Sequence, residues 1–229
     1  MNKSALVTGA SSGIGMATAY ALLEQEFEVT GLARNAEKMS DIGLQTVSCD
    51  LSALDALPAA LAQIPKSFDL LVLSAGYGQF GGIEQFSYAQ IEQLVNTNLV
   101  SNLFLIKHFL PRMKECGGGD IVIVGSESAL QGAKQGAVYC ATKFALRGLA
   151  QSLRADCATA NIRVILVNPG PVDSDFFDTL EFAPQSGEEF VIEPAAIARA
   201  IVHAVGQPRN VVTEEINLQP IKRSFHKRK

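Results

Sequence analysis

The chain has no apolar run near the roughly 18 residues that a membrane span requires. Its start has neither the basic opening nor the apolar core of a secretory signal, so a cytoplasmic protein with no membrane partner is expected. No charge of either sign dominates: 19 Lys and Arg stand against 23 Asp and Glu, a formal charge of −4. A nucleic-acid binder wants a basic surface, so that class is disfavoured. The four cysteines, Cys49, Cys116, Cys140 and Cys157, form no C-x-x-C pair, and no histidine cluster stands near them. That argues against a metal site, a redox dithiol or a disulfide framework, and for reduced thiols. Repeats and linkers are also missing. Residues 1–219 read as one domain, and residues 220–229, with Lys222-Arg223 and Lys227-Arg228-Lys229, as a basic, solvated and partly disordered tail.

About half the residues are apolar (48%), enough for a sizeable core, and they come in short runs that alternate with helical patterns. Strands are expected at Lys3 to Thr8, Phe27 to Ala33, Leu44 to Ser48, Asp69 to Ser74, Asp120 to Gly125, Ile162 to Val167 and Val211 to Leu218. Helices are expected at Ile14 to Glu26, Ala53 to Gln63, Tyr88 to Asn96, Leu99 to Lys114, Val138 to Thr159 and Pro194 to Val205. Such alternation, with continuous apolar strands, implies an α/β fold: a doubly wound, Rossmann-like parallel sheet of about seven strands with helices on both faces. The stretch from Asp173 to Glu193 is too long for a plain connection and reads as a lid over a binding site.

Thr8-Gly9-Ala10-Ser11-Ser12-Gly13-Ile14-Gly15 joins the first strand to the first helix. Glycines supply a tight turn and clearance, and a helix N-terminus presents N–H groups, which together suit a phosphate. The spacing is G-x-x-x-G-x-G rather than G-x-G-x-x-G. About twenty residues on, where a carboxylate would bond a ribose hydroxyl of NAD, the second strand ends in Ala33 and Arg34. A guanidinium suits the 2′-phosphate of NADP(H), with Ser11 and Ser12 as further donors.

Tyr139 and Lys143 are four residues apart, on one face of the long helix. At an effective dielectric of about 20, an ammonium about 4 Å from a phenol is worth roughly 4 kcal/mol, or about three pKa units. The lysine is therefore expected to bring the tyrosine toward working pH, as a general acid–base requires. Ser126 ends the preceding strand at the edge where doubly wound sheets bind ligands, and its hydroxyl can hold a substrate oxygen. Asn168-Pro169-Gly170-Pro171-Val172 makes a rigid turn at the same edge, placed to border a nicotinamide. Asn98 is expected to open the helix that follows the Ser74-Ala75-Gly76 strand end.

In these motifs, which run from Thr8 to Ser174, the sequence resembles the short-chain dehydrogenase/reductase family. The resemblance implies an NADP(H)-dependent oxidoreductase acting on a small carbonyl or secondary alcohol. It implies that Gly9, Gly13 and Gly15 hold the pyrophosphate, that Asp50 contacts the adenine, and that Ile14 and Leu51 also line the cofactor site. Asn98, Ser126, Tyr139 and Lys143 would form a catalytic tetrad: Tyr139 delivers the proton, Ser126 bonds the developing oxyanion, Lys143 reaches the nicotinamide ribose and Asn98 orders a water. Pro169, Gly170, Val172 and Ser174 would meet the nicotinamide, with Ser174 in place of the commoner threonine. Leu73-Ser74-Ala75-Gly76 replaces the family's Asn-Asn-Ala-Gly, a change expected to weaken local hydrogen bonding at the cofactor. A homodimer or homotetramer through the helices Leu99–Lys114 and Val138–Thr159 is the family's habit.

Two other classes remain in view: a serine hydrolase, and a regulatory protein that binds NADP(H) without turnover. Gly125-Ser126-Glu127-Ser128-Ala129 lacks the closing glycine of a nucleophile elbow, which counts against the first. The full tetrad counts against the second. Candidate substrate contacts are Gln79, Phe80, Glu127, Ser128, Gln131, Phe176 and Phe177. The segment Val211 to Arg223 is similar in character to relatives acting on small 3-hydroxy acids and serine-like compounds, whereas the lid phenylalanines point to an apolar ligand.

Overall fold

The computed structural model describes residues 2–228, the side chains of residues 40–42 aside. β1 (Ser4–Thr8) turns into α1 (Gly13–Glu24), followed by β2 (Glu28–Ala33) and β3 (Gln45–Ser48). A short α2 (Leu57–Leu61) leads to β4 (Leu70–Leu73). Then come α3 (Tyr88–Val95), α4 (Ser101–Glu115), β5 (Gly119–Val124), α5 (Ala137–Cys157) and β6 (Ile162–Pro169). β7 (Phe182–Pro184), α6 (Pro194–Val205), β8 (Glu215–Leu218) and β9 (Phe225–Lys227) complete the order.

Seven strands form one sheet in the order β3-β2-β1-β4-β5-β6-β8, with every pairing parallel. This is the expected doubly wound arrangement. Strand side chains point alternately to the two faces, and both faces are covered. Leu6, Leu71 and Ile123 pack with Leu105, Phe109 and Leu146 of α4 and α5. Val7, Val72 and Val122 pack on the other side with Leu22 of α1 and Ile201 of α6. The strand order reverses between β1 and β4, which opens a crevice at the carboxyl ends.

Several expectations need correction. The stretch Ala53 to Gln63 is not one helix: a 3₁₀ turn at Leu54–Ala56 precedes α2, because Pro58 at the start of α2 has no N–H to extend a helix backward. Only the last four residues of Val211 to Leu218 pair with β6. Asn98 does not open a helix. A π turn at Asn96–Val100 joins α3 to α4, and Asn98 sits inside it, fully buried. Residues 221–228 are exposed, as expected of a solvated segment, but Phe225–Lys227 (β9) pair antiparallel with β7 of the lid, which the sequence did not indicate.

Candidate active site

Thr8 anchors the crevice. Its Oγ1 accepts from the backbone N–H groups of Ser74 (3.0 Å) and Ala75 (3.1 Å), tying the end of β1 to the end of β4. The Ser74-Ala75 backbone is thus held despite its departure from the family motif. Gly9 has φ of 67°, a left-handed conformation that favours glycine, and a Cβ there would lie 3.0 Å from the Ala75 Cα. A Cβ at Gly15 would collide with the Gly9 carbonyl oxygen. Ser12 caps α1 without a side-chain bond, and the first turn has no acidic residue. Its N–H groups and dipole are therefore free for an anion.

Two adjoining cavities lie along this edge. The first, about 390 Å³, is lined by Gly9, Ser11, Ser12, Gly13, Ile14 and Gly15 from the turn. Arg34 past β2, Asp50 and Leu51 past β3, and Ser74, Ala75 and Gly76 past β4 complete the predicted set there. Asp50 Oδ1 accepts from the Ser52 N–H and Oγ at 2.9 and 2.8 Å, and the exposed Arg34 guanidinium makes no ion pair among the described residues. Lys38 also lines this cavity. The sequence reading passed over it, although a second cation four residues after Arg34 was a usable signal.

The second cavity, about 490 Å³, shares Ile14, Ser74, Gly76, Tyr77, Ser174 and Phe176 with the first. It holds Ser126 from the end of β5, Tyr139 and Lys143 from the start of α5, and Pro169, Gly170 and Val172 from the turn after β6. Among the predicted cofactor and tetrad residues, Asn98 alone lines neither cavity. Its Oδ1 accepts from the Tyr77 N–H (3.1 Å) and its Nδ2 donates to the Tyr77 carbonyl (2.9 Å), clamping the backbone behind Gly76. A Cβ on Gly76 would lie 3.1 Å from Asn98 Oδ1 and 3.7 Å from Lys143 Nζ, so glycine keeps that layer thin.

The electrostatics correct one expectation. Burial pushes the Tyr139 phenol up to about 12, with a Ser126 hydrogen bond acting in the opposite direction. Burial also pulls Lys143 down to about 8. The lysine does not bring the phenol toward neutrality here. Its Nζ lies 5.7 Å from the Tyr139 ring centroid and donates instead to the Val124 carbonyl at 3.1 Å. Desolvation, which disfavours the charged form of each, dominates both shifts.

Of the candidate substrate contacts, Phe80, Glu127, Ser128, Phe176 and Phe177 line the second cavity, while Gln79 and Gln131 do not. Sequence reasoning missed Tyr77, Lys134 and Phe182, and also Arg223, Phe225 and Lys227 from the chain end. Phe225, an aromatic residue within a basic segment, was the available signal.

The parallel sheet with its crevice at the β1–β4 switch point defines a Rossmann-like α/β protein. Residues 3–183 match the family model described as short chain dehydrogenase. The chain is 31% identical to an uncharacterized oxidoreductase of Staphylococcus epidermidis, over 96% of this chain and 97% of that one. It is similar to an alcohol dehydrogenase of the archaeon Thermococcus sibiricus complexed with 5-hydroxy-NADP, with a TM-score of 0.84, 26% identity, and 98% and 99% of the two chains covered. It is also similar to a 4-hydroxyisoleucine dehydrogenase complexed with NADH, with a TM-score of 0.83, 26% identity, and 96% and 98% covered. The chain belongs to the short-chain dehydrogenase/reductase family and is an oxidoreductase of that family.

Proposed function

We propose that the chain is an NADP(H)-dependent oxidoreductase that interconverts a small carbonyl compound and its secondary alcohol, with Tyr139 as general acid and base. The observation that carries this reading is the meeting of Ser126, Tyr139 and Lys143 in a cavity continuous with the glycine turn. The residues fit the cofactor: an uncapped helix start for a pyrophosphate, and clearance at Gly9 and Gly15 that side chains would close. The preference for NADP(H) rests on Arg34 and on the lack of a carboxylate at the end of β2, since one similar protein holds an NADP derivative and another NADH.

When bound, the nicotinamide supplies or accepts the hydride. The protein does the rest. Gly9, Gly13 and Gly15 would hold the pyrophosphate, and Val172 and Ser174 would border the nicotinamide end. Ser126 donates a hydrogen bond to the substrate oxygen as negative charge gathers there. Tyr139, protonated at neutral pH because burial holds it at about 12, delivers its proton to the same oxygen. The Lys143 ammonium lies 5.7 Å from the Tyr139 ring centroid. Asn98 is a positioning residue that fixes the Tyr77 backbone between the cavities. The phenylalanines of the lid exclude water.

The chain would work in the cytoplasm as a homodimer or homotetramer packed through α4 and α5, where Leu103, Phe104 and Phe144 are exposed. The deciding experiment follows NADPH and NADH oxidation across a panel of aldehydes and ketones. Turnover with NADPH ahead of NADH is expected. NADPH binding with no turnover on any carbonyl would leave only a non-catalytic binder.

A further inference from the structure

The chain end builds the outer wall of the second cavity. β9 pairs with β7 of the lid, Phe182 opposite Lys227 and Pro184 opposite Phe225. Phe225 meets Phe182 edge-on at 5.8 Å, Phe182 meets Phe80 at 5.1 Å, and Phe80 lies against Tyr139 at 5.1 Å. A continuous row of rings therefore runs from the last residues to Tyr139. Arg223 closes the strap: its Nη2 donates to Glu127 Oε1 at 2.9 Å, and Glu127 directly follows Ser126 in the chain. A three-residue strand pair has little stability of its own, so these contacts hold it in place.

The charges on this wall depart from those of the whole chain. The protein is net acidic at −4, yet among the described residues lining this cavity Lys134, Arg223 and Lys227, besides Lys143, stand against the carboxylates Glu127 and Glu181. Lys134 and Lys227 make no ion pair among the described residues, and Arg223 uses one nitrogen of its fork on Glu127. A neutral ketone would use none of these donors. A guanidinium with part of its planar fork free is shaped for a second carboxylate.

We propose that the substrate is an oxo or hydroxy acid whose carboxylate is received by Arg223, a few carbons from the reacting carbon held at Ser126 and Tyr139, with its hydrocarbon part against Phe80, Phe177 and Phe225. The word substrate rests on the redox reading above; the carboxylate site rests on the cavity alone. Apolar rings and a cationic rim then belong to one ligand, which joins the two opposed hints in the sequence.

Two probes of one shape, phenylbutyrate and its primary amide, test this by calorimetric titration of the full chain with and without NADP+. The acid is expected to bind about tenfold more tightly than the amide, the effect of roughly one charge-assisted hydrogen bond. Arg223→Gln brings the acid to the level of the amide and leaves the amide unchanged. Arg223→Lys, which keeps the charge, retains part of the difference. Glu127→Gln frees the guanidinium from its competitor and tightens the acid several-fold. Equal binding of acid and amide, no binding of either, or equal weakening of both by Arg223→Gln would overturn the proposal, the last because the arginine would then only fasten the strap. The readout is binding, so a failure of turnover leaves the carboxylate site standing, and a loss of acid preference leaves the redox reading standing.

Discussion

Arg163 on β6 and Lys143 on α5 are both buried cations, 3% and 5% exposed, and the protein surrounds them in opposite ways. Arg163 lies toward the amino end of the sheet. It makes paired bonds to Asp120, Nε to Oδ1 at 2.7 Å and Nη2 to Oδ2 at 2.9 Å, and donates further to the carbonyls of Val205 and Gln207. Arg209 joins the same carboxylate at 2.8 Å. The hydrogen bond with Asp120 holds Arg163 above its usual range. Lys143 lies at the carboxyl edge with one bond, to a neutral carbonyl, and burial draws it down to about 8. At one edge of the sheet, buried charge is matched and serves the fold. At the other it is left unmatched beside Tyr139, where a group poised near working pH can serve chemistry.

Removing each cation should break this contrast in opposite directions. Arg163→Met leaves Asp120 with only the half-exposed Arg209 and should cost about 3–5 kcal/mol in urea unfolding. Lys143→Met should abolish turnover yet stabilise the fold at pH 7. The shift from 10.5 to about 8 sets an upper limit of about 3 kcal/mol, less the lost bond to Val124. The sign follows from proton counts. Between about pH 8 and 10.5 the unfolded chain holds a proton that the folded lysine has released, so wild-type stability rises with pH through that window. The advantage of Lys143→Met is therefore full below pH 8 and fades toward 10.5, which thermal unfolding across that range can follow. Arg34→Ala sharpens the comparison with an exposed cation: stability should stay within about 0.5 kcal/mol. The ratio of kcat/KM for NADPH over NADH should fall about tenfold.

The sheet was legible because buried parallel strands read as continuous apolar runs, and α6 was found to the residue because Pro194 marks its first turn. The glycine turn and the Tyr139–Lys143 spacing were legible because each is local in the chain. What could not be read was set by tertiary contact. The pairing of β9 with β7 joins residues more than forty apart through three residues a side, too few to show a period. The π turn that buries Asn98 leaves no compositional mark. The upward shift of Tyr139 comes from desolvation, which depends on neighbours such as Phe80 and Phe176 supplied by other segments.

The central claim is that Tyr139 moves the proton, and Tyr139→Phe tests it most directly, with NADPH affinity and turnover measured on the same preparation. Unchanged NADPH binding with turnover reduced about a thousandfold is the predicted result, within the range that a positioned general acid contributes. Turnover within a few-fold of the unmutated protein would place the proton donor elsewhere and contradict the assignment.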